Sequence, residues 1–159
     1  MWKRNWAKQE AQKLTDKIKV SLKMKQKIFR IKKLKSKKKL VCLTAYSKPI
    51  SKILDKYCDI VLVGDSVATA FYGMKNTKEI DLDTMINHGK SVSKSVKNSI
   101  LVFDMPFKTY KNLREAKKNV KKVLDKTKCH AVKLESDGKN FYILNELVKS
   151  GVKVMGHIG

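Results

Sequence analysis

Five short apolar runs, each closed by polar residues and separated by a helix-like stretch, constrain this chain more than any other feature. They are Leu40–Thr44, Ile60–Val63, Ile100–Phe103, Ala131–Leu134 and Val152–Met155. Each is rich in Val, Ile or Leu and too short for a helix. Near-continuous apolar runs of this length suit strands covered on both faces, as in a parallel sheet. The stretches between them place apolar residues at helical spacing. Ile50, Ile53, Leu54 and Tyr57 follow Pro49, which suits a first helical turn. Met85, Ile86, Val92 and Val96 follow Asp81 and Asp83, two candidate caps. Leu113, Ala116, Val120, Val123 and Leu124 form a stripe opposite Lys117, Lys118, Lys121 and Lys122. Phe141, Leu144, Leu147 and Val148 form another, closed by Gly151. The order βαβαβαβαβ predicts an α/β fold with right-handed crossovers.

Composition narrows the class. A length of 159 residues predicts one domain. No apolar run approaches the ~18 residues of a membrane span, so no membrane partner is expected. Cys42, Cys58 and Cys129 are odd in number and lack CxxC spacing. They are read as reduced thiols in a cytoplasmic protein. The net charge of +23 is uneven: residues 1–39 hold 16 Lys or Arg against Glu10 and Asp16. That leader lacks the apolar stretch of a secretory signal. Trp2 and Trp6 among cations admit a nucleic-acid reading. Lys also dominates the later helices, where it cannot all bind nucleic acid, so a solvated leader is the favoured reading and nucleic acid is not expected as the partner.

The polar residues at the strand ends point to the chemistry. The runs end in Thr44-Ala45-Tyr46, Gly64-Asp65-Ser66, Asp104-Met105-Pro106, Lys133 with Glu135, and Gly156-His157. A parallel sheet gathers these ends on one edge. That edge is the active face of a (β/α)8 barrel and the crevice of an open doubly wound sheet. No glycine-rich phosphate loop supports the open sheet, and the chain stops without a helix to cover the fifth strand. Asp65, Asp104 and Glu135 are predicted to converge. Carboxylates held close raise one another's pKa unless a cation neutralises them, and all-oxygen ligands favour Mg2+. Lys133 and Glu135, two apart on one strand, share a face. Cys129 and His130 precede the fourth strand and are expected at the opposite end.

Taken in order, Leu43-Thr44-Ala45-Tyr46, Val61-Leu62-Val63-Gly64-Asp65-Ser66, Val102-Phe103-Asp104-Met105-Pro106-Phe107, Ala131-Val132-Lys133-Leu134-Glu135 and Val154-Met155-Gly156-His157-Ile158-Gly159 resemble ketopantoate hydroxymethyltransferase. Asp83-Thr84-Met85-Ile86-Asn87-His88-Gly89 resembles its post-strand helix. The likeness covers residues 28–159, leaving 1–27 as a basic N-terminal extension. It implies a (β/α)8 TIM barrel of the phosphoenolpyruvate-binding type, cut here after about the fifth strand, and a homodecamer at full length. It also implies transfer of a one-carbon unit from 5,10-methylenetetrahydrofolate to 3-methyl-2-oxobutanoate, giving 2-dehydropantoate for pantothenate biosynthesis through a Mg2+-stabilised enolate. Asp65, Asp104 and Glu135 match its metal carboxylates. Asp65, Ser66, Asp104, Lys133 and His157 match positions at the keto acid.

The likeness also implies that the glutamate base lies beyond Gly159, so no catalytic residue is assigned within the chain. Glu146, on a helix facing away, is no substitute. Ser47 stands where the family usually has Asp. The chain alone is therefore expected to be marginally folded and without turnover. Two competing readings are another Mg2+-dependent 2-keto-acid barrel of the isocitrate lyase or phosphoenolpyruvate mutase type, and a basic nucleic-acid-binding fragment. An inactive remnant is a further one.

Overall fold

The computed structural model describes residues 2–34 and 36–158. Gly159, which ends the last quoted motif, and the side chains of Trp2 and Trp6 lie outside the described residues. The chain divides into two compact units, residues 1–39 and 40–159. The first is built on a 32-residue helix, α1 (Trp2–Lys33). Arg30, Lys32 and Lys33 sit in its last turn, where cations offset the negative end of the helix dipole. Leu14, Ile18, Leu22 and Phe29 are exposed along it.

The second unit alternates strand and helix: β1 (Cys42–Thr44), α2 (Lys48–Leu54), β2 (Ile60–Val63), α3 (Val67–Ala70), a 3-10 turn (Thr77–Glu79), α4 (Leu82–Ser93), β3 (Ile100–Asp104), α5 (Leu113–Thr127), β4 (Ala131–Glu135), α6 (Phe141–Lys149) and β5 (Val154–His157). All five strands are parallel and neighbours in chain order, β1-β2-β3-β4-β5. Every β3 residue is buried, as expected of a central strand covered on both faces. Among the described residues, no helix is long and apolar enough to cross a membrane.

The helices start where side chains satisfy their free N–H groups. Asp81 accepts from the N–H groups of Asp83 and Thr84 at the start of α4. Asn112 accepts from Glu115 N–H at the start of α5. Ser47 makes no side-chain cap on α2; instead the N–H of Lys48 donates to Ser91 Oγ at 3.0 Å. The α5 stripe buries Ala116, Val120 and Val123, extended by Thr127.

Three expectations shift. On α6 the core takes Ile143, Leu144 and Leu147, while Phe141 and Val148 are exposed. Those two lie about 40–60° around the helix beyond Leu144, past the edge of the buried stripe. The first strand begins at Cys42, because Val41 O accepts from the N–H groups of Asp59 and Ile60 in the turn before β2. The fifth begins at Val154, because Val152 N–H donates back to Leu147 O and closes α6. Cys58 and Cys129 are buried free thiols, and Cys42 is an exposed one.

Candidate functional site

Register decides which strand-end residues meet. In the β3–β4 ladder Asp104 lies beside Lys133, and in the β4–β5 ladder Glu135 lies beside His157. Neighbours in a parallel ladder point to the same face, so each pair can bond directly. Lys133 Nζ is 2.7 Å from Asp104 Oδ2, with Asp104 only 3% exposed. His157 Nδ1 is 3.2 Å from Glu135 Oε1, and both side chains are about half exposed. The strand ends thus hold one buried pair and one open pair.

Burial pushes the Asp104 carboxyl up to about 6, even though Lys133 pulls the other way. The charge of Asp65 raises it further, while the Asp65 backbone N–H donates to it. Asp65 therefore stands against Asp104, at the end of β2. Next to it Ser66 Oγ shares a 2.8 Å hydrogen bond with Tyr46 OH. Buried Gly64 keeps this corner open: a Cβ there would lie 2.9 Å from Ser66 Oγ and 3.2 Å from Thr44 Cγ2.

Two residues without a sequence-based role support the site. His88, on α4, places Nδ1 2.7 Å from the carbonyl of Tyr46 and Nε2 2.8 Å from Tyr72 OH. A carbonyl only accepts, so Nδ1 carries the proton and, in the neutral ring, Nε2 accepts from Tyr72. His88 thus fixes the segment whose hydroxyl holds Ser66. Tyr110, in the loop after β3, is 8% exposed, and its OH accepts from Glu135 N–H at 3.4 Å. Burial, then the charges of Glu135, Asp104 and Asp65, raises its phenol. One side chain senses all three predicted carboxylates. Its signal, an aromatic four residues past Pro106, is too weak to read without the loop's path. Cys129 and His130 stand just before β4, at the other end of the sheet from these groups. The Cys129 thiol, pushed up to about 11 by burial, is inert there.

The donor set suits a hard cation in part. Mg2+ is usually held by one or two carboxylates plus substrate oxygens and water. Asp65 and Asp104 are such a pair, and the upward push of one on the other marks charge that a cation would neutralise. Glu135 is engaged with His157 instead. Among the described residues, no three His, Cys, Asp or Glu side chains come close enough together to hold a metal ion by themselves.

Residues 25–159 match the family described as ketopantoate hydroxymethyltransferase. The chain belongs to that family. The 3-methyl-2-oxobutanoate hydroxymethyltransferase of Pelagibacter ubique (strain HTCC1062) is 49% identical over 86% of the chain and 53% of its own length. The enzyme of the same name from Rhizobium etli is 45% identical over 82% of the chain and 48% of its own length. The chain therefore spans about half the length of the ketopantoate hydroxymethyltransferase relatives it matches. Among solved structures, 2,3-dimethylmalate lyase, a phosphoenolpyruvate mutase/isocitrate lyase superfamily member, superposes with a TM-score of 0.55 at 12% identity, over 77% of this chain and 50% of that one. Phosphonopyruvate hydrolase superposes with a TM-score of 0.54 at 12% identity, over 64% and 35%. These two likenesses place the five-stranded parallel sheet in the TIM-barrel class expected of a ketopantoate hydroxymethyltransferase.

Proposed function

We propose that this site serves the transfer of a hydroxymethyl group from 5,10-methylenetetrahydrofolate to 3-methyl-2-oxobutanoate, giving 2-dehydropantoate. The observation that carries the reading is the buried Asp104–Lys133 pair beside Asp65 and Ser66, in a chain of this family. In this reading residues 28–159 supply the first five units of the barrel and residues 1–27 a basic extension. The half that longer relatives carry beyond the matched stretch supplies the base that removes the C3 proton, and it completes the homodecamer.

Asp65 and Asp104 would hold Mg2+, which would supply Lewis-acid stabilisation of the negative charge building on the keto oxygen. Lys133 supplies a fixed cation for the substrate carboxylate, in a buried setting where a charge acts strongly. Ser66, held by Tyr46, offers a hydroxyl that donates to an oxygen of the bound keto acid. His157 and Glu135 form the outer wall on the β5 side.

Calorimetric titration of the chain with 3-methyl-2-oxobutanoate tests this. Binding that requires Mg2+ and weakens by about ten-fold or more in Lys133→Met is the expected result, being the loss of one charge-assisted bond. Binding indifferent to Mg2+, and equal in Asp104→Asn and Lys133→Met, would refute the assignment.

A further inference from the structure

Among the described residues no helix, α1 included, is long and apolar enough to cross a bilayer. The surface of α1 is nevertheless divided in a way that suits lying on one. Leu14, Ile18 and Leu22 are spaced four apart, and Phe29 follows seven residues later. At about 3.6 residues per turn these four share one side of the helix, within an arc of about 80° and along roughly 22 Å of its axis. Each is more than half exposed. The stretch that matches ketopantoate hydroxymethyltransferase starts at residue 25, so Leu14, Ile18 and Leu22 lie ahead of it.

Around that stripe α1 is strongly cationic. Residues 2–33 hold 12 Lys or Arg against Glu10 and Asp16, a net charge of +10. Asp16 is engaged with Gln12 Nε2 at 3.1 Å. Lys8, Lys13 and Lys19 are exposed outside the stripe, and among the described residues none of the three has a carboxylate within 4.0 Å. Lys33 Nζ lies 4.6 Å from the Phe29 ring centroid. An ammonium placed over an aromatic at the end of the stripe can reach a headgroup while the ring is immersed. Charge and stripe together select the partner. Nucleic acid would use the cations and leave four apolar side chains idle. A second copy of α1 would set like charge against like charge. An anionic lipid surface uses both halves of the helix, because phosphates meet the cations and the acyl boundary takes the stripe.

We propose that α1 is a surface anchor that lies flat on an anionic phospholipid bilayer. Leu14, Ile18, Leu22 and Phe29 enter the boundary between headgroups and acyl chains, and the lysines meet the phosphates. Each cation held close to such a surface strengthens binding by about five-fold. The immersed methylene groups supply the rest. Residues of the proposed keto-acid site play no part in it.

Co-flotation of the full chain with vesicles tests the anchor, since unbound or aggregated chain stays at the bottom of the gradient. Vesicles of equal parts phosphatidylglycerol and phosphatidylcholine should carry the chain upward, and pure phosphatidylcholine vesicles should not. Leu14→Ala/Ile18→Ala/Leu22→Ala should weaken binding by about ten-fold or more with the charge unchanged. Alanine favours a helix, and circular dichroism verifies that the helix signal is kept. Lys8→Gln/Lys13→Gln/Lys19→Gln should also weaken binding by about ten-fold or more. Lys117→Gln/Lys118→Gln/Lys126→Gln, which removes the same charge from α5, should change it by less than about two-fold. Flotation of the alanine variant equal to that of the parent would reduce the attraction to charge alone and overturn the anchor. Equal losses in the two lysine sets, or no flotation with phosphatidylglycerol, would overturn it as well. Without flotation, a single-stranded RNA oligonucleotide bound equally by parent and alanine variant would assign α1 to nucleic acid instead. A stripe-dependent dimer in light scattering, again without flotation, would assign the stripe to a second copy.

Discussion

Asp104 shows how a single residue is governed by its neighbours. Its position at the end of a strand was legible in the sequence, but its partner was not. Burial disfavours the charged carboxylate, and Lys133 restores it only in part. Removing one member of a buried pair leaves the other without compensation, whereas removing both does not. Asp104→Ala and Lys133→Met are each expected to destabilise the chain by roughly 3 kcal/mol. The double variant should lose clearly less than the sum, in a cycle read by urea denaturation. At Gly64 the missing Cβ matters directly. In Gly64→Ala the new methyl meets Ser66 Oγ, so the Tyr46–Ser66 hydrogen bond should be lost. Keto-acid affinity would fall while the melting temperature changed little, since Ser66 can rotate away. An unchanged affinity would mean that Ser66 does not touch the ligand.

Helices and loops position the site through contacts that the hydrophobic pattern cannot specify. Periodicity marked α4 by its apolar residues, but its closest approach uses Gly89. A Cβ there would lie 2.7 Å from Thr127 Cγ2 and 3.0 Å from Phe103 Cε2, both on buried side chains. Alanine favours a helix interior over glycine by about 1 kcal/mol. Overpacking here costs about 1–3 kcal/mol, so Gly89→Ala is expected to lower stability on balance. A raised melting temperature would show that α4 can shift. Asp55, at the end of α2, ties that helix to the loop before β3. It accepts from the N–H groups of Lys97, Asn98 and Ser99 at 2.8–3.1 Å. Burial opposes its charge, but the N–H groups of Ser99, Lys97 and Asn98 outweigh it and hold the carboxyl below its ordinary value. A depressed folded value gives stability that is present above the unfolded value near 4 and lost as pH falls through the folded one. Asp55→Asn should therefore cost about 1.5–3 kcal/mol at pH 7. It should also flatten the acid limb below about pH 4, seen by denaturation at several pH values.

At the scale of the whole molecule, the sheet is strictly ordered, and β1 and β5 are its outer strands. β1 is exposed along its length, with Val41 and Leu43 accessible at its start and within it. An outer strand with accessible apolar side chains invites pairing between chains. The chain is expected to self-associate with rising concentration, and Leu43→Lys should shift light scattering toward monomer without loss of helix signal. Monomeric behaviour of the unmodified chain at high concentration would count against this.

The sequence by itself determined the alternation of strand and helix, the parallel sheet and the list of polar strand ends. Those follow from local periodicity, because a strand buried on both faces must be apolar throughout and a chain reversal must be polar. Only the tertiary structure decided how the polar ends pair. A register shift of one residue would place Asp104 beside a different residue of β4, and no local pattern distinguishes the two. The same holds for His88 and Tyr110, which approach the site from an intervening helix and a loop. Their roles depend on distances across the fold, which come from packing and not from spacing along the chain.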